Sequence, residues 1–327
     1  AFTNYVGLKA NEEEYILMGM SAYGLPKHKT IIKETFFNYI KTPFFKCSVN
    51  LQKGCKWWEN LDVEKEKFNI ASSVQSIYED YLLGIVEYAR NNFKSNNLIL
   101  MGGNALNCVA NSKVIQKKLY DNIWIFPNPG DAGNSLGAVL GHTKTHIDFN
   151  SPFLGENIEG NLDIESIVSD LKKGDIVGVA KGKAEFGPRA LGNRSLLGDP
   201  RLKDIKDRMN VVKKREKFRP FAPAILEEEA HKYFDMNGVE KSPYMQYVVK
   251  CKDPIKFPGI SHVDGTSRIQ TVNKDMYPDF YKLLKSWYKK TGCPMLVNTS
   301  LNIKGQPLVN TEYDARDFEK TYGIKVY

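Results

Sequence analysis

Five arginines, at positions 189, 194, 201, 215 and 219, stand among glycines, prolines and phenylalanines in one stretch of the chain. The stretch reads Lys183-Ala-Glu-Phe-Gly-Pro-Arg-Ala-Leu-Gly-Asn-Arg-Ser195, then Asp199-Pro-Arg201, then Lys213-Lys-Arg-Glu-Lys-Phe-Arg-Pro-Phe-Ala-Pro223. A solvated charged face has no need of Gly-Pro-Arg or Arg-Pro-Phe-Ala-Pro, which fix the backbone. A guanidinium fork matches phosphate or carboxylate oxygens two at a time, as a lysine ammonium cannot. The stretch reads as a phosphate site, with a structural salt-bridge network as the alternative.

Two further clusters could act on the same ligands. Gly102-Gly103 and Gly130-Asp-Ala-Gly133 each precede a helical pattern. Glycine allows close backbone approach and positive φ, and a helix start presents free N–H groups to phosphate. Asp131 could hold a metal that itself binds phosphate or a substrate oxygen. The alternative is a pair of ordinary strand-to-helix turns with Asp131 as an N-cap. Asp264-Gly-Thr-Ser-Arg-Ile-Gln270 and Asn298-Thr-Ser-Leu-Asn302 are short polar phrases, the second beside the apolar run Pro294–Val297. Their hydroxyls and amides could bind phosphate or a carbamoyl amide, or could simply make Asx and Ser/Thr turns. Neither G-x-G-x-x-G nor a P-loop occurs. His142 and His146 share a helical spacing, but no Glu follows the first, and they read as an exposed helix end.

The elements that must hold these residues follow from periodicity. Ile70, Val74, Ile77, Tyr81, Ile85 and Tyr88 recur every three or four residues, which predicts a helix. Asn97–Gly103 predicts a buried strand ending in a glycine turn, 104 to about 120 a helix, and Asn122–Phe126 a strand. The turn at 127–133 opens a helix to about His142. Strand–helix alternation argues for a three-layer α/β arrangement. Residues 43–61 read as a loop or hairpin around Trp57 and Trp58. The stretch 147–162, with Pro152, Gly155 and Gly160, suggests a boundary between domains 1–150 and 151–327. Beyond it a helix is predicted over 163–172 and a strand over 175–180.

At 327 residues there is room for two cores. No apolar run of membrane-spanning length occurs and no signal peptide is visible. The five cysteines are odd in number and include no C-x-x-C pair, which fits reduced thiols and a cytoplasmic location. A net charge of +8 suits polyanionic ligands, nucleic acid included, or a lysine-rich surface. No nucleic-acid-binding signature accompanies it.

Taken together, the long phrases resemble the NodU-type carbamoyltransferases, from Met18-Gly19 to Asp314-Ala315. The most specific are Glu185–Ser195, Arg215-Glu with Phe218–Pro223, His262–Thr266 with Arg268 and Gln270, and Asn298–Asn302. The resemblance implies an α/β protein: part of an actin-like (ASKHA-type) ATPase domain, then a mixed α/β YrdC-like domain. It implies that carbamoyl phosphate and ATP are joined into carbamoyl-adenylate, with pyrophosphate released. The carbamoyl group then passes to a small-molecule hydroxyl with help from a divalent metal, Fe or Mg. The K-x-R and S-x-N patterns of the YrdC type match Lys213 with Arg215 and Ser300 with Asn302, although Lys217 with Arg219 also spells K-x-R. By the same resemblance Arg189 is catalytic, and Arg194, Arg219, Asp264, Thr266 and Arg268 bind substrate or nucleotide. Gly102, Gly103 and Asn107 match the nucleotide-side turn of the actin-like domain, and Asp131 its acidic metal ligand.

The chain departs from that pattern in two ways. Asn104 replaces a small apolar residue, and the family's N-terminal lobe, with its metal-binding histidine pair, is not seen. The chain is therefore expected to be the C-terminal portion of the enzyme or a family member cut short. A homodimer is compatible with the sequence. The alternative function is a nucleic-acid-binding or tRNA/DNA-modifying protein of the threonylcarbamoyl group.

Overall fold

The computed structural model describes residues 1–41, 43–51, 54 and 61–327. Trp57 and Trp58 lie outside the described residues. The chain forms two compact units, one of residues 1–98 with 109–123 and one of 99–108 with 124–327.

The first unit holds α1 (Phe2–Tyr5), α2 (Glu14–Met20), α3 (Lys29–Phe36), the hairpin β1 (Phe37–Lys41) and β2 (Phe44–Cys47), and α4 (Val63–Asn92). Asp62 starts α4 by accepting a hydrogen bond from the Lys65 N–H. Ile70, Ala71, Ile77 and Val86 are its buried apolar positions. Ile85, predicted to face the core, is exposed, and Val86 is buried in its place. Glu79 is buried on α4, where it accepts from Gln75 and pairs with Lys113.

The chain crosses between the units along β3 (Asn97–Leu100) and again along β4 (Asn122–Ile125), which form a two-stranded sheet. Between them lie a 3-10 turn, Gly103–Leu106, and α5 (Cys108–Gln116), where one continuous helix was predicted. Next come a second 3-10 turn, Asp131–Gly133, and α6 (Asn134–Thr143). Residues 124–150 therefore pack with the second unit, ahead of the turn-rich stretch at 147–162. Gly187 is one reason, since a Cβ there would lie 2.6 Å from the Pro127 carbonyl oxygen.

The rest of the second unit runs β5 (Phe153–Ile158), α7 (Ile164–Lys173), β6 (Val177–Ala180), β7 (Gly182–Glu185), β8 (Arg194–Gly198), α8 (Ile205–Val212) and β9 (Ala222–Leu226). It continues with α9 (Ala230–Tyr233), β10 (Phe234–Asp235), β11 (Val248–Cys251), β12 (Thr266–Arg268), β13 (Gln270–Val272), α10 (Pro278–Thr291), β14 (Met295–Ser300) and α11 (Glu312–Tyr322). Five strands form one mixed sheet in the order β13-β9-β14-β8-β6, parallel only between β13 and β9.

Side chains alternate across this sheet. Val177, Val179, Leu197, Ala222, Ala224 and Leu296 meet Ile167, Val168 and Leu171 of α7 and Phe280, Leu283, Leu284 and Trp287 of α10 in the main core. On the opposite face Gly198 leaves room for α8, since a Cβ there would lie 2.8 Å from the Ile205 side chain. The result is helix, sheet and helix in three layers, the mixed α/β arrangement that the sequence implies.

Arg194 ties the rim of this sheet together. It is fully buried, and its guanidinium donates to the carbonyls of Glu156, Lys181, Gly182, Asn193 and Asn310 at 2.9–3.3 Å. Arg194→Met should leave those carbonyls without their shared donor and destabilise the second unit by on the order of 3–5 kcal/mol. Urea unfolding followed by tryptophan fluorescence measures the loss.

Candidate active site

Helix α8 ends in a Schellman motif. The Arg215 N–H bonds the Asn210 carbonyl at 3.1 Å, the Lys214 N–H bonds the Val211 carbonyl at 3.0 Å, and Lys214 takes the left-handed conformation with φ 50°. A lysine stands where glycine is usual, so the turn holds mild strain. The motif swings the chain away from the helix axis. It leaves Lys213 buried at the turn, with Arg215 through Arg219 in the loop that follows.

Lys213 meets the end of β14. Its Nζ donates to the Ser300 carbonyl at 2.6 Å, to Ser300 Oγ at 2.9 Å and to Asn302 Oδ1 at 2.5 Å. Ser300 Oγ in turn donates to Asn302 Oδ1 at 2.7 Å. Lys213, Ser300 and Asn302, separated by 87 and more residues in sequence, thus converge on one point. Three acceptors around one nitrogen is the geometry of an ammonium. Burial, and then the Arg215 and Arg219 guanidiniums, nevertheless push Lys213 down to about 6. The site carries concentrated positive charge that an anion would relieve.

The loop side chains are held individually. Arg215 donates from Nε to Asn210 Oδ1 at 2.7 Å, and its guanidinium lies 4.2 Å from the Phe221 ring centroid. Asn210, buried in the last turn of α8, also donates to the Lys217 and Arg219 carbonyls at 3.2 and 3.3 Å. Glu216 lies between Arg219 at 3.4 Å and Lys304 at 2.6 Å. Of the two K-x-R pairs, Lys213 with Arg215 is the one whose lysine reaches Ser300 and Asn302. Lys217 is exposed.

The remaining expected residues fall into three groups. Arg268 lies near enough to Arg219 for their charges to repel. Burial above all lowers its pKa, with Cys108 opposing and Arg219 adding to the shift, and its Nε is buried without a partner among the described residues. Arg189 lies two residues beyond Gly187, in a loop that buried amides pin to the sheet. Asn298 Nδ2 donates to the Ala190 carbonyl and to Gln270 Oε1, and Gln270 Nε2 donates to the Leu191 carbonyl. The glycine turns meet near this loop: the Gly102 N–H bonds the Pro129 carbonyl at 2.7 Å, with φ 87° at Gly102, and Gly187 packs on Pro127. Gly103 is exposed, and Asn107 closes the 3-10 turn beside it.

A second group serves the fold. Arg194, expected to bind substrate or nucleotide, uses its guanidinium donors on backbone carbonyls in this structure. Arg201 is paired with Asp199. Asp264 accepts from the Thr266 N–H and hydroxyl at 2.9 and 2.7 Å, closing an Asx turn around Gly265. Burial opposes its ionisation, but bonds from His262 and Thr266 outweigh that and hold it down at about 2. Asp264 and Thr266 therefore shape the turn ahead of Arg268.

The third group is Asp131, which is exposed and makes no N-cap bond. Among the described residues no three His, Cys, Asp or Glu side chains gather as a metal site, so these residues do not by themselves fit the divalent metal. His142 and His146 are exposed at and beyond the end of α6.

Sequence reasoning missed Asn210, Phe221 and the Glu216–Lys304 pair. The one available signal was an asparagine in the last turn of a helix, where its propensity is poor.

Comparison with known proteins places these residues in context. The family described as "Carbamoyltransferase N-terminus" matches residues 1–140, and "Carbamoyltransferase C-terminus" matches residues 168–327. Nodulation protein NolO of Bradyrhizobium diazoefficiens is 32% identical over 93% of this chain and 62% of its own length. The 3'-hydroxymethylcephem-O-carbamoyltransferase of Streptomyces clavuligerus is 32% identical over 78% of this chain and 51% of its own. Nodulation protein U of Azorhizobium caulinodans is 34% identical over 65% of this chain and 40% of its own. The chain thus spans about half the length of these curated relatives. No helix among the described residues is long and apolar enough to cross a membrane.

The low pKa of Lys213 has two measurable consequences. An unfolded lysine keeps its proton to about 10.4, while the folded one loses it near 6. Between these values the unfolded state binds more protons, so this group's contribution makes stability rise with pH. Lys213→Met should therefore stabilise the fold most below pH 6 and least above pH 10, as read by urea unfolding across that range. In the parent protein an anion bound beside Lys213 should draw a proton onto it. Pyrophosphate titrated at pH 7.5 in buffers of different ionisation enthalpy should show proton uptake, absent in Lys213→Met.

Proposed function

The chain belongs to the carbamoyltransferase family, and from that premise we propose that its second unit activates the carbamoyl group with ATP. Carbamoyl phosphate gives its phosphate to water, and the carbamate oxygen displaces pyrophosphate from the α-phosphorus of ATP, leaving carbamoyl-adenylate. In this reading residues 151–327 are a YrdC-like activating domain, joined by the loops 99–108 and 124–133 that pack with it. Residues 1–150 are part of an actin-like domain in which the carbamoyl group passes to a small-molecule hydroxyl. A relative named for a hydroxymethyl acceptor supports a hydroxyl acceptor here.

The observation that carries the proposal is the Lys213 site: a buried lysine held on Ser300 and Asn302, depressed by two nearby guanidiniums. Such a site is unfavourable when empty and favourable around a polyanion. Two polyanions must be brought together for the reaction, and Arg215, Arg219 and a Lys213 that takes up its proton as the anion binds offset their repulsion and the charge developing at phosphorus. Arg268 extends the same positive surface. Holding both reactants in one site removes much of the entropic barrier.

The purified chain should release pyrophosphate from ATP only when carbamoyl phosphate is present. Arg215→Ala should lower that rate on the order of 10²–10³-fold, the usual effect of removing one preorganised charge-stabilising donor. Lys172→Ala, which removes a charge from the exposed side of α7, should not change it. Release that ignores carbamoyl phosphate, or that survives both Arg215→Ala and Lys213→Met, would overturn the proposal.

A further inference from the structure

We infer that Asn210 is a positioning residue that aims the Arg215 guanidinium at the ligand's phosphate groups. The inference rests on the Lys213 cluster being the polyanion site. Asn210 is 1% exposed and sits at the third position from the end of α8. Its side-chain bonds all go to the following loop: Oδ1 to Arg215 Nε at 2.7 Å, Nδ2 to the Lys217 and Arg219 carbonyls at 3.2 and 3.3 Å. Its backbone carbonyl takes the Arg215 N–H at 3.1 Å. A single residue therefore fixes both the main chain and the side chain of Arg215, and the backbone that carries Arg219.

The amide can face only one way. Turned over, its NH₂ would oppose the Arg215 Nε–H, donor against donor, and its oxygen would oppose two carbonyls. With Nε held and the guanidinium plane resting on Phe221 at 4.2 Å, rotation about the last side-chain bonds of Arg215 is blocked. Asparagine is a poor helix former, about 0.7 kcal/mol worse than alanine in a helix interior, and no bond of this side chain goes to the sheet. Its polar atoms serve the loop. A fork held in one orientation loses little freedom when it takes a phosphate, which is how preorganisation raises affinity.

A double-mutant cycle on pyrophosphate binding, read by calorimetry, tests the inference. Arg215→Ala should weaken binding about 10–100-fold, the range for a charge-assisted hydrogen bond. Asn210→Leu should weaken it about tenfold, and the double variant should bind within about twofold of Arg215→Ala alone. Should Asn210→Leu not fold, Asn210→Ala, which removes the acceptor for Arg215 and both donors to the loop without adding bulk, takes its place with the same non-additivity expected. Multiplying effects would mean that Asn210 acts through the fold at large, and an unchanged affinity in Asn210→Leu would mean that it does not position Arg215; either overturns the inference. If Arg215→Ala itself leaves pyrophosphate affinity unchanged, the site reading fails and this inference with it. A loss in Arg215→Ala without one at Asn210 removes only the inference.

Discussion

The second unit is organised around a buried lysine that has no carboxylate partner among the described residues. Lys213 is tied to β14 by two side-chain acceptors and one carbonyl, while burial and two guanidiniums work against its charge. A buried ammonium is tolerable when hydrogen-bonded, but it remains expensive until countercharge arrives. The fold accepts this because the contact also closes α8 onto the central strand. The Lys304 N–H bonds the Lys213 carbonyl at 3.0 Å, so the two loops that flank the site grip each other through main chain as well. Stability and ligand affinity are thus opposed at one nitrogen.

Around that point the unit uses neutral amides and one arginine where charge pairs would be less directional. Asn298 and Gln270 form a buried chain that grips residues 190 and 191. Glu185 accepts the N–H groups of Leu191, Asn193 and Arg194 through one oxygen. Arg194 collects five carbonyls from four separate segments. Each device satisfies backbone groups that a loop would otherwise present to water. The loops stay rigid without regular secondary structure, as a site that must hold several oxygens in fixed places requires.

Much of this was legible in the sequence because periodicity and glycine placement are local signals. The helix over α4, the strands at β3 and β4 and the turn before α6 all follow from spacing within a dozen residues, although β3, expected to be buried, alternates between exposed and half-buried residues. The convergence of Lys213 with Ser300 and Asn302 was legible only through family resemblance, since nothing local connects positions so far apart. The carbonyl contacts of Arg194 were not legible, because an arginine between Asn193 and Ser195 looks the same whether it meets phosphate or carbonyl oxygens; the difference is burial. Asp264 was read with Arg268 although it serves its own turn. Asn210 was overlooked because an asparagine in the last turn of a helix belongs to no motif, and its role exists only once the chain reverses at Lys214. The boundary read at 147–162 reflects composition, whereas the packing boundary is set by β3 and β4, whose ends fold into the second unit.

The position of β14 bears on how the protein is made. It is the middle strand of the five, between β9 and β8, yet residues 295–300 come almost last in the chain. While the nascent chain is still shorter than that, the sheet can exist only as two separate ribbons, β13 with β9 and β8 with β6, each offering an open edge. Open edges are sites of mispairing, and late closure of a non-local sheet is slow. Synthesis at about 5–20 residues per second leaves those edges exposed for several seconds after β9 emerges. Both edges are covered only once β14 inserts between β9 and β8.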